Sequence, residues 1–181
     1  MKALCAAAIA LMPLQASADE ITDTLTSAIE AYQSGDIQYA LEELAYAQQQ
    51  LKSLKTADLV SYLPQPEGWT REVNTDMNAG LSMMGGGIGA EADYSNGTDT
   101  VTLTLMADNP MVVAMAGMVQ NAGLMGLKIV RVGRQKFVAQ DGELTALIGG
   151  RLLVQASGAD TDTLMPLLEA IDYQALADFG Q

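Results

Sequence analysis

The sequence has no histidine and only one cysteine, Cys5. Histidine is the side chain that most often moves protons near neutral pH, and it completes the Ser-His-Asp and Cys-His sites of hydrolases. Histidine and cysteine also dominate zinc sites. Their scarcity argues against all of these sites and leaves carboxylates as the abundant catalytic groups. A glycosidase needs only two carboxylates, but no pair among the 22 acidic residues is singled out by its spacing.

Positive charge is also scarce. Nine Lys and Arg residues stand against 22 Asp and Glu residues, which gives a net charge of −13. Such a chain is repelled by nucleic acids and by anionic lipid surfaces, so neither is an expected partner. Hydrophobic residues nevertheless make up 49% of the chain, too many for a disordered acidic tail. We therefore expect one folded domain of ordinary size with a small appendage.

The first 18 residues have the order of a secretory signal peptide. Lys2 gives a positive start, residues 3–14 form an uncharged apolar run, and Ala16-Ser17-Ala18 supplies small residues for cleavage. The run is too short to span a bilayer as a helix. We expect cleavage after Ala18 and a periplasmic location. Cys5 lies too near the start to be a lipidated cysteine and leaves with the peptide, so no disulfide holds the exported chain.

Residues 19–63 are predicted to form two helices, because apolar residues recur there at helical spacing. Between them, Gly35 can take the left-handed conformation that ends a helix, and Asp36 can cap the next one. A loop this short makes the helices an antiparallel hairpin. The second helix can run on to Tyr62, before Pro64. The first apolar stripe comprises Ile21, Leu25, Ala28, Ile29 and Tyr32, and the second comprises Ile37, Ala40, Leu41, Leu44, Ala47, Leu51 and Leu54.

Part of this hairpin resembles the core of a tetratricopeptide repeat. The matching residues are Ala31-Tyr32, Gly35-Asp36, Ala40, Leu44 and Ala47. The match covers roughly 25 residues and occurs once, and a lone repeat cannot bury its own apolar face. The resemblance therefore implies a hairpin that packs on the following domain or on another chain. An ordinary helical hairpin is the alternative interpretation.

Residues 64–181 have the pattern of an α+β domain, with a mainly antiparallel sheet of six or seven strands flanked by helices. Asn96-Gly97 predicts a β-hairpin, and Trp69 is a candidate core anchor. Asn109-Pro110 predicts the start of a helix that runs to Ala122, and Asp160 predicts the start of another. The predicted strands are residues 69–77, 90–95, 98–107, 128–132, 134–140, 143–148 and 151–157, the last four joined as a meander by Gly133, Asp141-Gly142 and Gly149-Gly150.

This order of elements resembles the Mog1/PsbP-like α/β/α sandwich. The resemblance covers residues 67–175 and includes the Gly68-Trp69 entry, the meander and the closing run at residues 167–173. It implies an accessory or assembly protein and not an enzyme, although a fold alone does not transfer function. The whole chain is also similar to a group of exported proteobacterial proteins with this layout, which implies no activity.

Methionine is unusually frequent, with 11 residues. Met111, Met115 and Met118 share one helical face, and Met83-Met84 lie in a Gly/Met-rich stretch, residues 80–89, that is typical of a mobile loop. Residues 110–127 carry no charge, so we expect this helix to be covered on most sides. Methionine here can fill a core, line an apolar groove or bind Cu(I), since soft thioethers select that ion.

These patterns together predict a non-enzymatic envelope protein that uses no cofactor and has no stable membrane span. We expect it to bind a partner protein or a small apolar ligand. The candidate contacts are Leu41 and Leu44 on the hairpin, and Met83, Met84, Met111, Met115 and Met118 on the Met/Gly-rich surface. A Cu(I)-binding protein that uses Met111, Met115 and Met118 is the first alternative, and a carboxylate-based hydrolase is the least favoured. The oligomeric state stays open.

A basic group lies in the predicted meander. It consists of Lys128, Arg131, Arg134 and Lys136, half of the eight basic residues that follow the signal peptide. We expect these side chains to balance acidic neighbours on adjacent strands. A patch for an acidic partner or ligand is the alternative.

Overall fold

The computed structural model describes residues 14–74, 76–83 and 85–180, with side chains from Asp19 onward. Residues 1–13 of the predicted signal peptide and the candidate Met84 lie outside these residues. The chain divides into two compact units, Met1–Ser53 and Leu54–Gln181, and this division falls earlier than the predicted boundary after residue 63. No helix in the described part of the chain is long and apolar enough to cross a membrane.

The first unit contains the predicted helical hairpin. Helix α1 spans Leu14–Ser34, and helix α2 spans Ile37–Ser61 and so continues into the second unit. Gly35 ends α1 with a φ of +86°, a conformation that glycine adopts without strain. The Asp36 carboxylate accepts a hydrogen bond of 3.1 Å from the backbone N–H of Tyr39 and so caps α2, as predicted.

The two helices run antiparallel. The Tyr46 hydroxyl donates to Glu20 Oε1 at 3.3 Å, and Ser27 Oγ lies 3.4 Å from the Tyr39 hydroxyl, so the end of one helix pairs with the start of the other. The hairpin buries mainly small side chains, together with Ile21 and Thr24. The buried alanines are Ala28, Ala31, Ala40 and Ala47. Because alanine is short, these positions let two helices approach closely.

The second unit, called here the sheet domain, contains one seven-stranded sheet in which all neighbouring strands are antiparallel. The order across the sheet is β1-β2-β3-β7-β6-β5-β4. The predicted α+β class is therefore confirmed. The strands are β1 Thr70–Asn74, β2 Ile88–Ser95, β3 Thr100–Ala107, β4 Lys128–Val132, β5 Gln135–Gln140, β6 Glu143–Ile148 and β7 Leu152–Ser157.

The predicted hairpin at Asn96-Gly97 forms between β2 and β3, but its loop is longer than the two-residue turn that this pair often makes. Ser95 pairs with Thr100, so residues 96–99 make the loop. Asn96 Oδ1 accepts hydrogen bonds from the backbone N–H groups of Thr98 and Asp99, at 2.9 and 2.8 Å. The asparagine side chain therefore stabilises a wider turn.

Four helices accompany the sheet: α3 Met77–Met83, α4 Pro110–Asn121, α5 Thr161–Glu169 and α6 Tyr173–Ala177. Two of them start as predicted. Asn109 caps α4 by accepting from the Met111 N–H, and Asp160 caps α5 by accepting from the Thr163 N–H. Hydrogen bonds from Thr163 also lower the pKa of the Asp160 carboxyl. The sequence did not predict α3 or α6, and α3 occupies part of the stretch expected to be a loop.

The main core lies on one face of the sheet. Helices α5 and α6 pack there together with Leu59 and Leu63, which belong to the last turns of α2 and the residues after it. Trp69 packs partly buried against this core, as an anchor would. The largest fully buried side chains include Tyr94, Leu103, Leu105, Phe137 and Leu167. Burial of large apolar side chains is the main source of stability in such a domain.

Two polar contacts hold the segment after α2 against this core. The Tyr94 hydroxyl donates to the Pro64 carbonyl at 2.8 Å, and the Arg71 guanidinium donates to the Leu63 carbonyl at 2.7 Å. Burial raises the pKa of Tyr94 to about 12, although the Arg71 charge opposes this shift. The tyrosine therefore stays neutral in the folded protein and keeps its hydrogen bond over the physiological pH range.

The opposite face of the sheet is only partly covered. Helices α3 and α4 contribute to a small apolar cluster on it, whose buried members are Leu81, Met106, Val112 and Leu153. The remainder of this face carries polar side chains, among them the exposed Thr100 and Asp93. Exposed and buried side chains alternate at the start of β3, whereas Met106 near its end is buried because helices cover it there.

Candidate functional site

Most of the large apolar side chains of the hairpin are exposed, whereas Ile21 and four of its alanines are buried. Leu41 is 57% exposed and Leu44 is 49% exposed, whereas Ala47 is 1% exposed. Each predicted apolar stripe therefore contains both buried and exposed positions. The exposed set comprises Leu25, Ile29, Tyr32, Ile37, Leu41, Leu44, Leu51 and Leu54.

Seven of the hairpin residues line one open groove of about 470 Å³, called here the leucine groove. They are Leu25 from α1 and Leu41, Leu44, Ala45, Ala47, Gln48 and Leu51 from α2. No charged residue is among these lining residues. In folded proteins, large contiguous patches of exposed apolar surface are a feature of contact sites, whereas single exposed apolar side chains are ordinary. The groove includes both hairpin residues that the sequence singled out as candidates.

The spacing of the residues on α2 explains the groove. Leu41, Leu44, Gln48 and Leu51 follow the alternating three- and four-residue steps of a coiled-coil seam, which places them on one stripe. Ala40 and Ala47 form a neighbouring stripe, one position away, and are buried. Helix α2 thus carries two adjacent seams. The alanine seam is closed and the leucine seam is open.

The predicted methionine set is divided between core and surface. Met115 packs partly buried beside Met77 and Met106 in the small cluster under α3 and α4, where it has the role of a flexible core filler. Met111 is 39% exposed and Met83 is 91% exposed, while Met118 is partly buried. Met84 lies outside the described residues. Cu(I) binding at this helix stays a prediction.

Helix α4 is not covered on most sides, so that prediction is wrong. Val112 and Ala122 are buried, but Val113 is 76% exposed, and the following loop exposes Leu124 and Met125. The physical reason is that α4 lies on the surface of the sheet and packs by one face only. The absence of charge in residues 110–127 therefore reflects an apolar exposed surface and not burial.

The glycines at the end of the predicted loop make a turn against the start of α4. Gly85, Gly86 and Gly87 all have positive φ angles, and Asn109 Nδ2 donates to the Gly86 carbonyl. A Cβ atom at Gly87 would lie 2.7 Å from Asn109 Cβ, so this close approach requires glycine. The turn is therefore a packing feature that sets the position of Asn109, the cap of α4.

A row of polar side chains crosses the uncovered part of the sheet and was not predicted. Glu91 accepts hydrogen bonds from Asn74 Nδ2 at 2.8 Å and from Thr104 Oγ1 at 2.9 Å, so it joins β1, β2 and β3. Asp93 accepts from Thr102 Oγ1 at 2.6 Å. The alternating threonines of β3 were the available signal. Among the described residues, no group of three or more His, Cys, Asp or Glu side chains is arranged to hold a metal.

The basic group does not balance acidic neighbours, so that expectation is wrong. Within the described residues, the ion pairs join Asp108 to Lys55 at 2.6 Å and to Arg151 at 3.6 Å, and neither includes the basic group. Arg131 on β4 lies directly opposite Lys136 on β5. The reason is topological: β4 is an edge strand, and its single neighbour presents a like charge.

Comparison of the chain with models of protein families, with curated proteins and with solved structures found no match. The resemblances to a tetratricopeptide repeat and to the Mog1/PsbP-like sandwich therefore stay predictions, as do the signal peptide and the periplasmic location. Function is inferred from the surfaces of the molecule. Among these surfaces, the leucine groove has large apolar side chains at regular helical spacing and no charged lining residue.

Proposed function

We propose that the protein is a non-enzymatic binding protein of the bacterial periplasm, and that its helical hairpin docks a partner protein through the leucine groove. One observation carries this proposal. The alanine seam holds the two helices together, while the adjacent leucine seam is open. Full burial of an exposed leucine side chain contributes about 1.5–3 kcal/mol, and the seam leucines are about half exposed. Covering each of them would therefore contribute roughly half of that amount to a binding free energy.

The shape of the groove favours a protein over a small ligand. Pockets for small molecules are concave and enclose most of the surface of the ligand. The leucine groove is open along α2, and its seam residues recur over several turns of the helix. This shape suits the apolar face of an amphipathic helix, which contacts such a groove with residues spaced three and four apart.

The chemistry of the chain favours binding over catalysis. Histidine is absent, and the only cysteine lies in the predicted signal peptide. The carboxylates Glu91 and Asp93 on the uncovered sheet face accept hydrogen bonds from neutral side chains, an arrangement that holds neighbouring strands in register. A partner protein also agrees with the accessory role that the sandwich resemblance implies.

Native mass spectrometry of the protein purified from the envelope of its own bacterium tests this proposal. The expected spectrum of the wild type contains a bound protein. Leu41→Glu combined with Leu44→Glu should abolish that binding, because it places charge in the groove while glutamate keeps a high helix propensity. Val113→Glu is the matched control, since it changes an exposed apolar residue on another helix.

Circular dichroism establishes that each variant retains its helices. Unchanged retention of the partner by the folded double variant would contradict the proposal. A small apolar molecule in place of a protein in the wild-type spectrum would also contradict it, because the groove would then be a ligand site.

A further inference from the structure

Helix α2 has an asymmetric distribution of charge along its exposed length. In the part of α2 that belongs to the first unit, which ends at Ser53, Glu42 and Glu43 lie near the start and Lys52 lies near the end. Gln38 Nε2 donates to Glu42 Oε1 at 2.9 Å and fixes this carboxylate on the side of the helix that carries Ala45 and Lys52. Along the leucine groove, this part of the helix is therefore negative toward its start and positive toward Lys52.

This distribution is complementary to itself when the helix is reversed. Two copies of α2 in antiparallel orientation bring Lys52 of each copy beside Glu42 of the other. A parallel pair would place the acidic ends together in a chain that already has a net charge of −13. Opposite charges beside an apolar seam select the orientation of paired helices.

We propose that the occupant of the leucine groove is a second copy of this chain, bound with its α2 antiparallel to the first. This inference rests on the proposed function and names the partner of the same groove. Two hairpins joined in this way form a four-helix bundle with two-fold symmetry, the commonest symmetry of soluble oligomers.

The seam fits this arrangement residue by residue. Leu41 of one copy packs on Leu51 of the other, and Leu44 packs on Gln48, because the steps between these residues are equal in both directions. These pairs centre on residue 46, so the exposed Ala45 lies close to the two-fold axis, where its small side chain allows the helices to approach closely. Gln48 is the single polar seam residue, and a polar residue at such a position fixes the register of a pair.

Sedimentation velocity of the purified full chain over a range of concentrations tests the proposal. A monomer–dimer equilibrium is expected. Leu44→Glu should weaken the dimer at least about tenfold, because a charge would be buried in the centre of the interface. Val113→Glu should leave the equilibrium unchanged.

The orientation has its own test. Glu42→Lys alone and Lys52→Glu alone should each weaken the dimer, and the two changes together should restore it, because the exchanged charges again meet their opposites. A short bis-maleimide should link two copies of the Ala45→Cys variant. It should not link Ser53→Cys, since two Ser53 residues lie far apart in an antiparallel pair although each is exposed.

Each outcome decides something. A wild type that is monomeric at every concentration overturns the dimer, and if it retains a different protein the proposed function still stands. A dimer unaffected by Leu44→Glu overturns the use of the groove for self-association. The antiparallel arrangement is overturned if the double charge exchange fails to restore the dimer. It is also overturned if the bis-maleimide links the Ser53→Cys variant as well as it links the Ala45→Cys variant.

Discussion

The helical hairpin and the sheet domain differ in how many of their large apolar side chains they bury. In the sheet domain, Leu105 and Phe137 are fully buried. In the hairpin, Ala47 is buried while Leu44 beside it is half exposed. The sheet domain therefore forms a complete core from its own large residues. The hairpin buries mainly small residues between its two helices and exposes most of its large ones.

Truncation in the sheet core should have the largest effect. Leu105→Ala removes a fully buried side chain between strands that pack closely, so we expect the free energy of unfolding to fall by about 2–5 kcal/mol. Urea denaturation followed by tryptophan fluorescence measures it, because Trp69 reports on the same core. A loss below about 1 kcal/mol would contradict the description of this core as the main source of stability.

Enlarging an alanine in the hairpin should have the next largest effect. Ala47→Leu puts extra volume into the closed alanine seam, and such overpacking costs about 1–3 kcal/mol. Thermal melting followed by far-ultraviolet circular dichroism measures the change. Gln49→Leu, at an exposed position of the same helix, is the control and should melt close to the wild type. Equal melting of all three proteins would mean that the alanines do not set the helix approach.

Loss of the Tyr94 hydroxyl should have a smaller, pH-dependent effect. Tyr94→Phe removes the hydrogen bond to Pro64 and should cost about 1 kcal/mol near neutral pH. The pKa of Tyr94 is raised from 10.0 to about 12 in the folded protein. An unfolded chain therefore releases this proton first as the pH rises. The stabilising contribution is complete below about pH 10 and is lost as the pH rises toward 12.

Urea denaturation from about pH 9 to about pH 11 measures this dependence. Over this pH range, the free energy of unfolding of Tyr94→Phe should fall by less than that of the wild type. The free energy of unfolding of Tyr94→Phe should still fall somewhat as the pH rises, because burial also raises the pKa of Tyr173. Identical pH dependence in the two proteins would show that Tyr94 ionises alike in the folded and unfolded chains.

The smallest effect is expected in the leucine groove. Leu44→Gln keeps the helix propensity and removes an exposed apolar side chain. In dilute protein, the free energy of unfolding should change by less than about 0.5 kcal/mol. The same urea titration measures it. A loss comparable with that of Leu105→Ala would remove the contrast between the two regions, because Leu44 would then be a core residue.

Much of the fold could be predicted from local sequence signals. The glycine turns of the meander and the caps at Asn109 and Asp160 all act within a few residues, and the structure confirms each of them. The helices α3 and α6 could not be predicted. Both are short, and each depends on one buried residue, Leu81 or Leu176, that packs on distant parts of the chain.

The site was harder to predict because periodicity does not show which stripe of a helix is buried and which is exposed. Alanines and leucines recur along α2 at similar helical spacings. Only the packing of the hairpin distinguishes Ala47, which is buried, from Leu44, which is half exposed. Met111 and Met115 are likewise one turn apart, yet Met115 packs in a core and Met111 is exposed. The position of Glu91 between Asn74 and Thr104 depends on strand pairing, which no local pattern encodes.

The like charges at the β4 edge have a consequence for aggregation. An edge strand offers unpaired backbone groups to any other strand, and cationic side chains there are a common protection against uncontrolled strand addition. Two β4 edges that approached each other would bring Lys128 and Arg131 of both copies together, with Lys136 directly behind. Repulsion between these like charges therefore opposes the pairing of two β4 edges.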